Sequence, residues 1–88
     1  MTTQLRLNPD AVSWREIDGE VLALGHESST YMSTTGSGVL LWRSLAEGAS
    51  REELVILFVR EFGIDEARAA ADIDAFIESL SSHGLLVT

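Results

Sequence analysis

The spacing of apolar residues changes once along the chain, just before Val39. Up to residue 32 they fall in short runs that suit extended strands, whereas Val39, Trp42 and Leu45 recur at helical spacing. The run between these two parts, Ser-Thr-Thr-Gly-Ser at 33–37, consists of residues that favour turns and helix N-caps. The sequence therefore predicts β-structure in its first part and helices in its second.

The first part predicts a three-stranded antiparallel meander. Residues 12–17 and 21–24 flank Asp18-Gly19, a dipeptide favoured in two-residue hairpin turns because both turn positions need positive φ. A second turn at 25–27 leads to a third strand at 28–32, which ends the meander with an open edge. Upstream, Leu5 and Leu7 predict a short extended piece that ends at Asn8-Pro9-Asp10.

The second part predicts three helices that end at glycines. The second helix has the capping-box pattern, with Ser50 as N-cap and Glu53 at the third helical position. The expected helices are a first over 36–46 with Thr35 or Ser37 as N-cap, a second from Ser50 to Gly63, and a third from the N-cap Asp65 to about His83. A short apolar tail, 85–87, is expected to fold back. This order predicts an α+β fold, winged helix-turn-helix-like, with a three-stranded antiparallel β-sheet followed by three α-helices in one domain over 1–88.

The apolar residues of the last two helices predict which faces are buried. The expected stripe of the second helix is Leu54, Leu57, Phe58 and Phe62, and that of the third is Ala69, Ile73, Phe76, Ile77 and Leu80.

Charge and composition limit the partners that the chain can have. Fourteen acidic residues against six arginines give a net charge of −8, which opposes binding to nucleic acid and to anionic membranes. The absence of Cys excludes disulfides and thiolate metal sites. No apolar run resembles a signal peptide or a membrane span, so we expect a cytoplasmic protein.

The residues whose side chains could take part in catalysis or ligand binding do not form a catalytic pattern. His26 and His83 are expected in loop and helix-capping positions, and Gly36-Ser37-Gly38 lacks the remaining residues of a phosphate loop. The acids Asp65, Glu66, Asp72, Asp74 and Glu78 predict a solvated face of the third helix, or a few contacts to a ligand with donors. We expect no enzyme activity, no metal and no cofactor.

Three segments together resemble the PqqD-like family over about residues 12–87. They are the junction Thr-Tyr-Met-Ser-Thr-Thr-Gly at 30–36 with the helix after it, the capped second helix with Phe-Gly-Ile-Asp at 62–65, and the closing segment 72–86. The resemblance implies a RiPP precursor recognition element, a small domain that binds the leader of a ribosomally made precursor peptide. It also implies that the leader adds as an antiparallel strand to the third strand and lies in the groove beside the third helix.

The resemblance and a helical-wheel estimate together give the expected leader-binding residues. They are Ser28, Ser29, Thr30, Tyr31 and Met32 on the strand, and Ala69, Asp72, Ile73, Phe76 and Ser79 on the helix. The opposite shoulder of the helix, Ala70 and Asp74, remains an alternative.

Within the family, a short chain of this kind is most similar to the free-standing lasso-peptide type, which works with a separate leader peptidase and a macrocycle-forming cyclase. PqqD proper, which presents its precursor to a radical-SAM enzyme, is the alternative within the family. Outside it, the alternatives are a winged-helix DNA-binding regulator, which the acidic third helix disfavours, and an interaction domain that dimerises through its open edge strand.

Overall fold

A computed structural model describes residues 4–27 and 31–87. Its elements in chain order are β1 Gln4–Leu7, β2 Val12–Ile17, β3 Glu20–Gly25, β4 Tyr31–Thr35, α1 Ser37–Glu47, β5 Ala49–Ser50, α2 Arg51–Phe62, α3 Glu66–Ser82 and β6 Leu86–Val87. The expected α+β architecture, a three-stranded meander and three helices, is confirmed.

The larger sheet is the meander, in the order β2-β3-β4, with antiparallel pairing throughout. Its first turn is the expected Asp18-Gly19 pair, at φ values of 50° and 77°. Positive φ at both positions gives a turn whose twist matches that of the flanking strands. This turn fixes the register in which β2 pairs with β3, and hence which side chains face the helices.

A second, smaller sheet has the order β5-β1-β6 and was not expected as a sheet. The short piece at Leu5 and Leu7 and the apolar tail were predicted separately, and the structure pairs Leu7 with Leu86 and Leu5 with Ala49. Neither short run shows its partner in the sequence, since the pairing with Ala49 spans the meander and α1, and the pairing with Leu86 spans nearly the whole chain. This sheet joins the N-terminal strand to the link between α1 and α2 and to the strand that follows α3.

The core lies between the meander and the three helices. Trp42 and Leu45 of α1 are 2% and 0% exposed, and Ile73 at the centre of α3 is 0% exposed. The inner face of the meander contributes Val21 and Ala23, both almost fully buried. Full burial of an aliphatic side chain stabilises the fold by about 1.5–3 kcal/mol, so these contacts fix α1 and α3 against the sheet.

The last strand of the meander and the start of α1 differ from the expectation. The strand continues through Ser33 and Thr34 to Thr35, residues that were predicted as turn and N-cap. The N-cap is Gly36, at φ 62°, and no side chain caps the helix, so the prediction of Thr35 or Ser37 was wrong. The chain turns from strand to helix within one residue, and glycine adopts that positive φ without steric cost.

The buried stripe of α2 is shifted relative to its prediction. Leu54 and Phe58 are buried as expected, but Phe62 is 46% exposed and Val55 takes its place in the core at 7%. Phe62 lies in the last turn and packs edge-on against Phe58, with ring centroids 5.1 Å apart. Residues 60–63 at the end of α2 are all exposed, which the periodicity of α2 alone did not show.

The capping box of α2 gives a testable contribution to stability. The Glu53 N–H donates to Ser50 Oγ at 3.1 Å, and the Ser50 N–H donates to Glu53 Oε1 at 2.8 Å. We expect Ser50→Ala to lower the free energy of unfolding by about 1 kcal/mol because it leaves a helix N–H without its partner. Urea unfolding followed by circular dichroism measures this, and Ser81→Ala at the exposed end of α3 is the matched control.

Candidate functional site

One edge of the meander lies free beside α3. Strand β4 pairs with β3 on one side only, and within the described parts of the chain no strand pairs with its other side. An exposed strand edge offers unpaired N–H and C=O groups to any extended chain that reaches it. This open edge of β4 is the first component of the candidate site.

The hairpin turn determines which main-chain groups face that edge. A two-residue turn closes on a pair that exchanges both main-chain hydrogen bonds, and here that pair is Ile17 and Glu20. Such pairs recur at every second residue of an antiparallel ladder. The bond from the His26 N–H to the Ala11 carbonyl, at 2.8 Å, belongs to the same series.

The intervening residues of β3 therefore direct their main-chain groups toward β4. They are Val21 and Ala23, whose partners on β4 are Thr34 and Met32. Met32 and Thr34 thus bond to β3, and their side chains face the helices. The remaining residues of β4 direct their N–H and C=O groups to the open edge: Tyr31, Ser33 and Thr35.

The second component is a groove pocket between β4 and α3, with a volume of about 170 Å³. Met32 forms part of one wall and Phe76 part of the other, and both side chains are half-buried. The lining residues are Val21, Ala23, Met32, Ser33, Thr34, Trp42, Phe76, Ser79 and Leu80. All nine are uncharged, so the pocket suits a neutral, largely apolar group.

Of the ten expected leader-binding residues, the structure brings three to this pocket. Met32, Phe76 and Ser79 line it. Ala69 and Ile73 are each 0% exposed and support α3 from within the core, so they present no surface to the groove.

The other expected residues lie elsewhere or outside the described residues. Asp72 is exposed and is not among the lining residues. Tyr31 is 66% exposed on the outer face of the sheet, opposite Leu24, so only its main chain serves the edge. Ser28, Ser29 and Thr30 lie outside the described residues.

Four lining residues were expected only as core or strand residues: Val21, Ala23, Trp42 and Leu80. The hairpin turn already indicates that Val21 and Ala23 share a face, because the turn fixes the alternation along β3. No sequence signal places Trp42 at this pocket, since helical periodicity identifies it only as buried.

The opposite shoulder of α3 is occupied by contacts with α2. Asp74 accepts hydrogen bonds from Arg51, at 2.5 Å to Nε and 2.9 Å to the second guanidinium nitrogen. Ala70 lines a larger cavity of about 530 Å³ between the two helices, together with Val55 and Val59. No residue of β4 lines the cavity beside Ala70, and neither Ala70 nor Asp74 lines the groove pocket. The alternative shoulder therefore does not face the open strand.

Both histidines hold main-chain segments in place. His26 Nε2 lies 2.6 Å from Ser13 Oγ and its Nδ1 lies 3.1 Å from the Asp10 carbonyl oxygen, which joins the start of β2 to the end of β3. His83 is the C-cap of α3, and its Nδ1 lies 2.8 Å from the Ser79 carbonyl oxygen. These are the loop and capping positions that the sequence predicts.

Two ion pairs make stability depend on pH in the acidic range. The hydrogen bond from Arg51 lowers the pKa of Asp74 below its usual 3.8, and the hydrogen bond from Arg43 lowers the pKa of Glu16 below 4.5. Because these carboxylates are more acidic in the folded protein, their contribution is present above the unfolded-state pKa and is lost as pH falls through the folded-state pKa.

We therefore expect the thermal midpoint to decrease as pH falls from about 5 to about 3. Arg51→Gln removes the cause of the Asp74 shift and should make this decrease shallower. Arg68→Gln, which changes the same net charge on exposed α3, is the control. An unchanged slope in Arg51→Gln would contradict the assignment.

The described residues contain neither a membrane-spanning helix nor a cluster of metal-binding side chains. No helix in them is long and apolar enough to span a bilayer. Across 4–27 and 31–87, no group of three or more His, Cys, Asp or Glu side chains is arranged to hold a metal ion.

Comparison with known proteins gives one family and two closely similar structures. The family described as coenzyme PQQ synthesis protein D (PqqD) matches residues 20–86. The structure titled TbiB1 in complex with the TbiA(beta) leader peptide is 31% identical, with a TM-score of 0.84, over 92% of this chain and 93% of that one. The structure titled lasso peptide synthetase B1 complexed with the leader peptide is 24% identical, with a TM-score of 0.80, over 96% and 98%. The second likeness concerns the fold alone, and no curated protein sequence matches the chain.

Proposed function

The chain belongs to the PqqD family, and we propose that it is a non-catalytic protein that binds the leader region of a ribosomally synthesised precursor peptide. The relative TbiB1, which is described with a bound leader peptide, supports this assignment across almost the whole chain. The observation that carries the proposal is the open edge of β4 beside an uncharged groove pocket. These two features are what an extended peptide needs for strand addition.

In the proposed complex the leader adds to β4 as an extra antiparallel strand. Its main chain bonds to the outward groups of Tyr31, Ser33 and Thr35, and every second side chain enters the groove beside α3. Main-chain pairing supplies affinity that depends little on sequence, whereas the groove pocket selects the side chain that fills it.

The proposed partners are those of the lasso-peptide type, a leader peptidase and a macrocycle-forming cyclase. A short chain of this kind resembles the free-standing lasso-peptide type more than PqqD proper, in which the partner is a radical-SAM enzyme, and the lasso peptide synthetase B1 has the same fold. A precursor made on ribosomes is present in the cytoplasm, and the proposal places this protein there as well.

DNA binding is the principal competing function for a winged-helix arrangement. The helix α3 and its N-cap carry five acids, Asp65, Glu66, Asp72, Asp74 and Glu78, and a single arginine. A recognition helix needs donors and positive charge toward phosphates and bases, so this helix would be repelled.

Fluorescence polarisation tests the proposal directly. A panel of labelled lasso-precursor leader peptides, including the TbiA(beta) leader, is titrated with the protein beside a shuffled peptide and a labelled DNA duplex. We expect saturable binding of at least one leader and none of the shuffled peptide or the duplex. Binding of the duplex, with no response from any leader, would replace the proposal with a DNA-binding function.

Removing an aromatic wall of the groove pocket should weaken leader binding without unfolding the protein. We expect Phe76→Ala to reduce affinity about fivefold, equivalent to about 1 kcal/mol of lost apolar contact. Phe62→Ala is the control, because Phe62 is a phenylalanine near the end of α2 that does not line the groove pocket. Equal affinities for the two variants would show that the leader does not use this pocket.

A further inference from the structure

The helix α2 has more apolar residues than the core of the protein uses. Residues 54–59, Leu-Val-Ile-Leu-Phe-Val, include no polar side chain, although a helix at the surface of a protein normally has a polar face. Three of these six residues are buried in the core, whereas Ile56 is 58% exposed. Neither Ile56 nor Leu57 is among the described residues that pack against the core. The side of α2 that faces away from the core therefore leaves an apolar surface in contact with solvent.

Ile56 lies on a ridge between two hollows and lines both of them. On one side is the cavity of about 530 Å³ between α2 and α3, whose apolar lining includes Val55, Val59 and Ala70. On the other side is a hollow of about 270 Å³ that Leu57 lines. Two helices pack together when the side-chain ridge of each enters a groove of the other. The exposed side of α2 thus has the shape of a helix-packing surface.

The two ends of this ridge carry opposite charges. Glu52 and Arg60 lie four residues before and four residues after Ile56, so all three side chains are on one face of α2. Both charged residues are exposed, and neither forms an ion pair within the described parts of the chain. The ridge is therefore complementary to itself. When two copies meet antiparallel at Ile56, Glu52 of each copy lies beside Arg60 of the other.

We propose that a second copy of this chain covers the surface, and that the α2 helices of the two copies pack antiparallel around a two-fold axis at Ile56. The axis repeats every contact, so the interface has two Glu52–Arg60 ion pairs on either side of the two isoleucines. Each Ile56 side chain enters the cavity between α2 and α3 of the other copy. This interface is a property of the chain beyond leader binding.

The overall charge of −8 does not prevent this association. The charged residues that line the cavity are two arginines and two glutamates, so the surface that meets its copy is locally neutral. Repulsion between exposed charges more than about 8 Å apart is largely screened at physiological ionic strength. The cavity and the groove pocket have no lining residue in common, so both copies of the dimer keep a β4 edge open for a leader.

Sedimentation equilibrium of the full chain measures the association. The ridge from Glu52 to Arg60 is only about 12 Å long, so the contact is small and the dimer is expected to be weak and reversible. We expect a dissociation constant on the order of tens of micromolar, the range of small transient interfaces. A chain that remains monomeric up to roughly 500 μM, more than ten times that constant, would overturn the inference.

Charge reversal tests the antiparallel arrangement. In a dimer of Glu52→Arg or of Arg60→Glu, like charges lie opposite each other at both ends of the ridge, so we expect each variant to associate at least tenfold more weakly. A mixture of the two variants has opposite charges at both ends, because one copy supplies two bases and the other two acids. We expect the mixed dimer to form as readily as the dimer of the unmodified chain.

The control variants separate the ridge from net charge and from folding. Glu61→Arg changes the net charge as much as Glu52→Arg does, but Glu61 is an exposed residue of α2 that lines neither hollow. Its association constant should not decrease. Helical circular dichroism should be the same in all the variants, which shows that a monomeric variant is still folded.

The remaining outcomes decide the inference without any leader peptide. Association restored by mixing supports the two-fold contact at Ile56. Two variants that stay monomeric when mixed would refute it, and so would a dimer of Glu52→Arg as stable as that of the unmodified chain, since that dimer would use another surface such as the β4 edge. Leader binding can succeed or fail in each case, so the result is independent of the proposed function.

Discussion

A proline at Ser33 is expected to abolish most leader binding while the protein remains folded. The Ser33 N–H faces the open edge of β4, so its loss removes a main-chain donor and places a ring where the leader strand would lie. One lost hydrogen bond with the associated steric conflict corresponds to about 1.4–2.8 kcal/mol, or about 10- to 100-fold in affinity. Fluorescence polarisation with a leader that binds the unmodified protein measures the effect.

The neighbouring residue provides the matched control. Thr34 bonds to Val21 of β3 through its main chain, so Thr34→Pro should disrupt the sheet itself and lower the thermal midpoint. Ser33→Ala keeps the N–H and should bind the leader normally. If Ser33→Pro bound as tightly as Ser33→Ala, the leader would not pair with this edge.

The hairpin is the part of the molecule that local sequence determines most completely. Asp18-Gly19 selects the turn, the turn sets the register, and the register decides which residues of β4 face outward. The N-caps Ser50 and Asp65 are likewise local, because each side chain bonds to an N–H three residues away. Such features need no knowledge of tertiary contacts.

Features that depend on partners distant in the sequence were not predicted or were predicted at other residues. The β5-β1-β6 sheet joins Gln4 to Ser50 and Arg6 to Val87, pairings that no local pattern indicates. Strand β4 extends to Thr35 because β3 supplies partners as far as Glu20, although its own Ser and Thr residues also favour turns.

The candidate site shows the same division. The strand, the helix and Phe76 were predicted, because the resemblance implies strand addition of the leader and the helical period indicates the apolar face of α3. Trp42 was identified as core, and only the packing of α1 against β4 makes it a wall of the pocket. A residue can thus belong to the core and to the binding site at once, and periodicity shows only that it belongs to the core.

The contact between α1 and β4 depends on the absence of a side chain at Gly38. A Cβ at this position would overlap Thr34 Oγ1 and would lie 3.1 Å from Thr34 Cβ. Alanine is the better helix former by about 1 kcal/mol, so helix propensity alone predicts that Gly38→Ala stabilises the protein. We expect the opposite, a loss of about 1–3 kcal/mol from overpacking, because both residues are held in regular structure.

A double-mutant cycle with Thr34→Ala separates these two effects. Thr34→Ala removes the overlapping hydroxyl, so Gly38→Ala should cost much less in that background, and the coupling is measured by urea unfolding of the four proteins. Gly63→Ala is the control for a glycine substitution without a steric conflict: no atom lies within 4 Å of its added Cβ, and its expected cost comes from φ 62° alone, independent of Thr34. Additive effects at Gly38 and Thr34 would show that α1 does not hold β4 through this contact. Strong coupling would mean that the same close approach which brings Trp42 to the groove also positions the strand edge to which the leader adds.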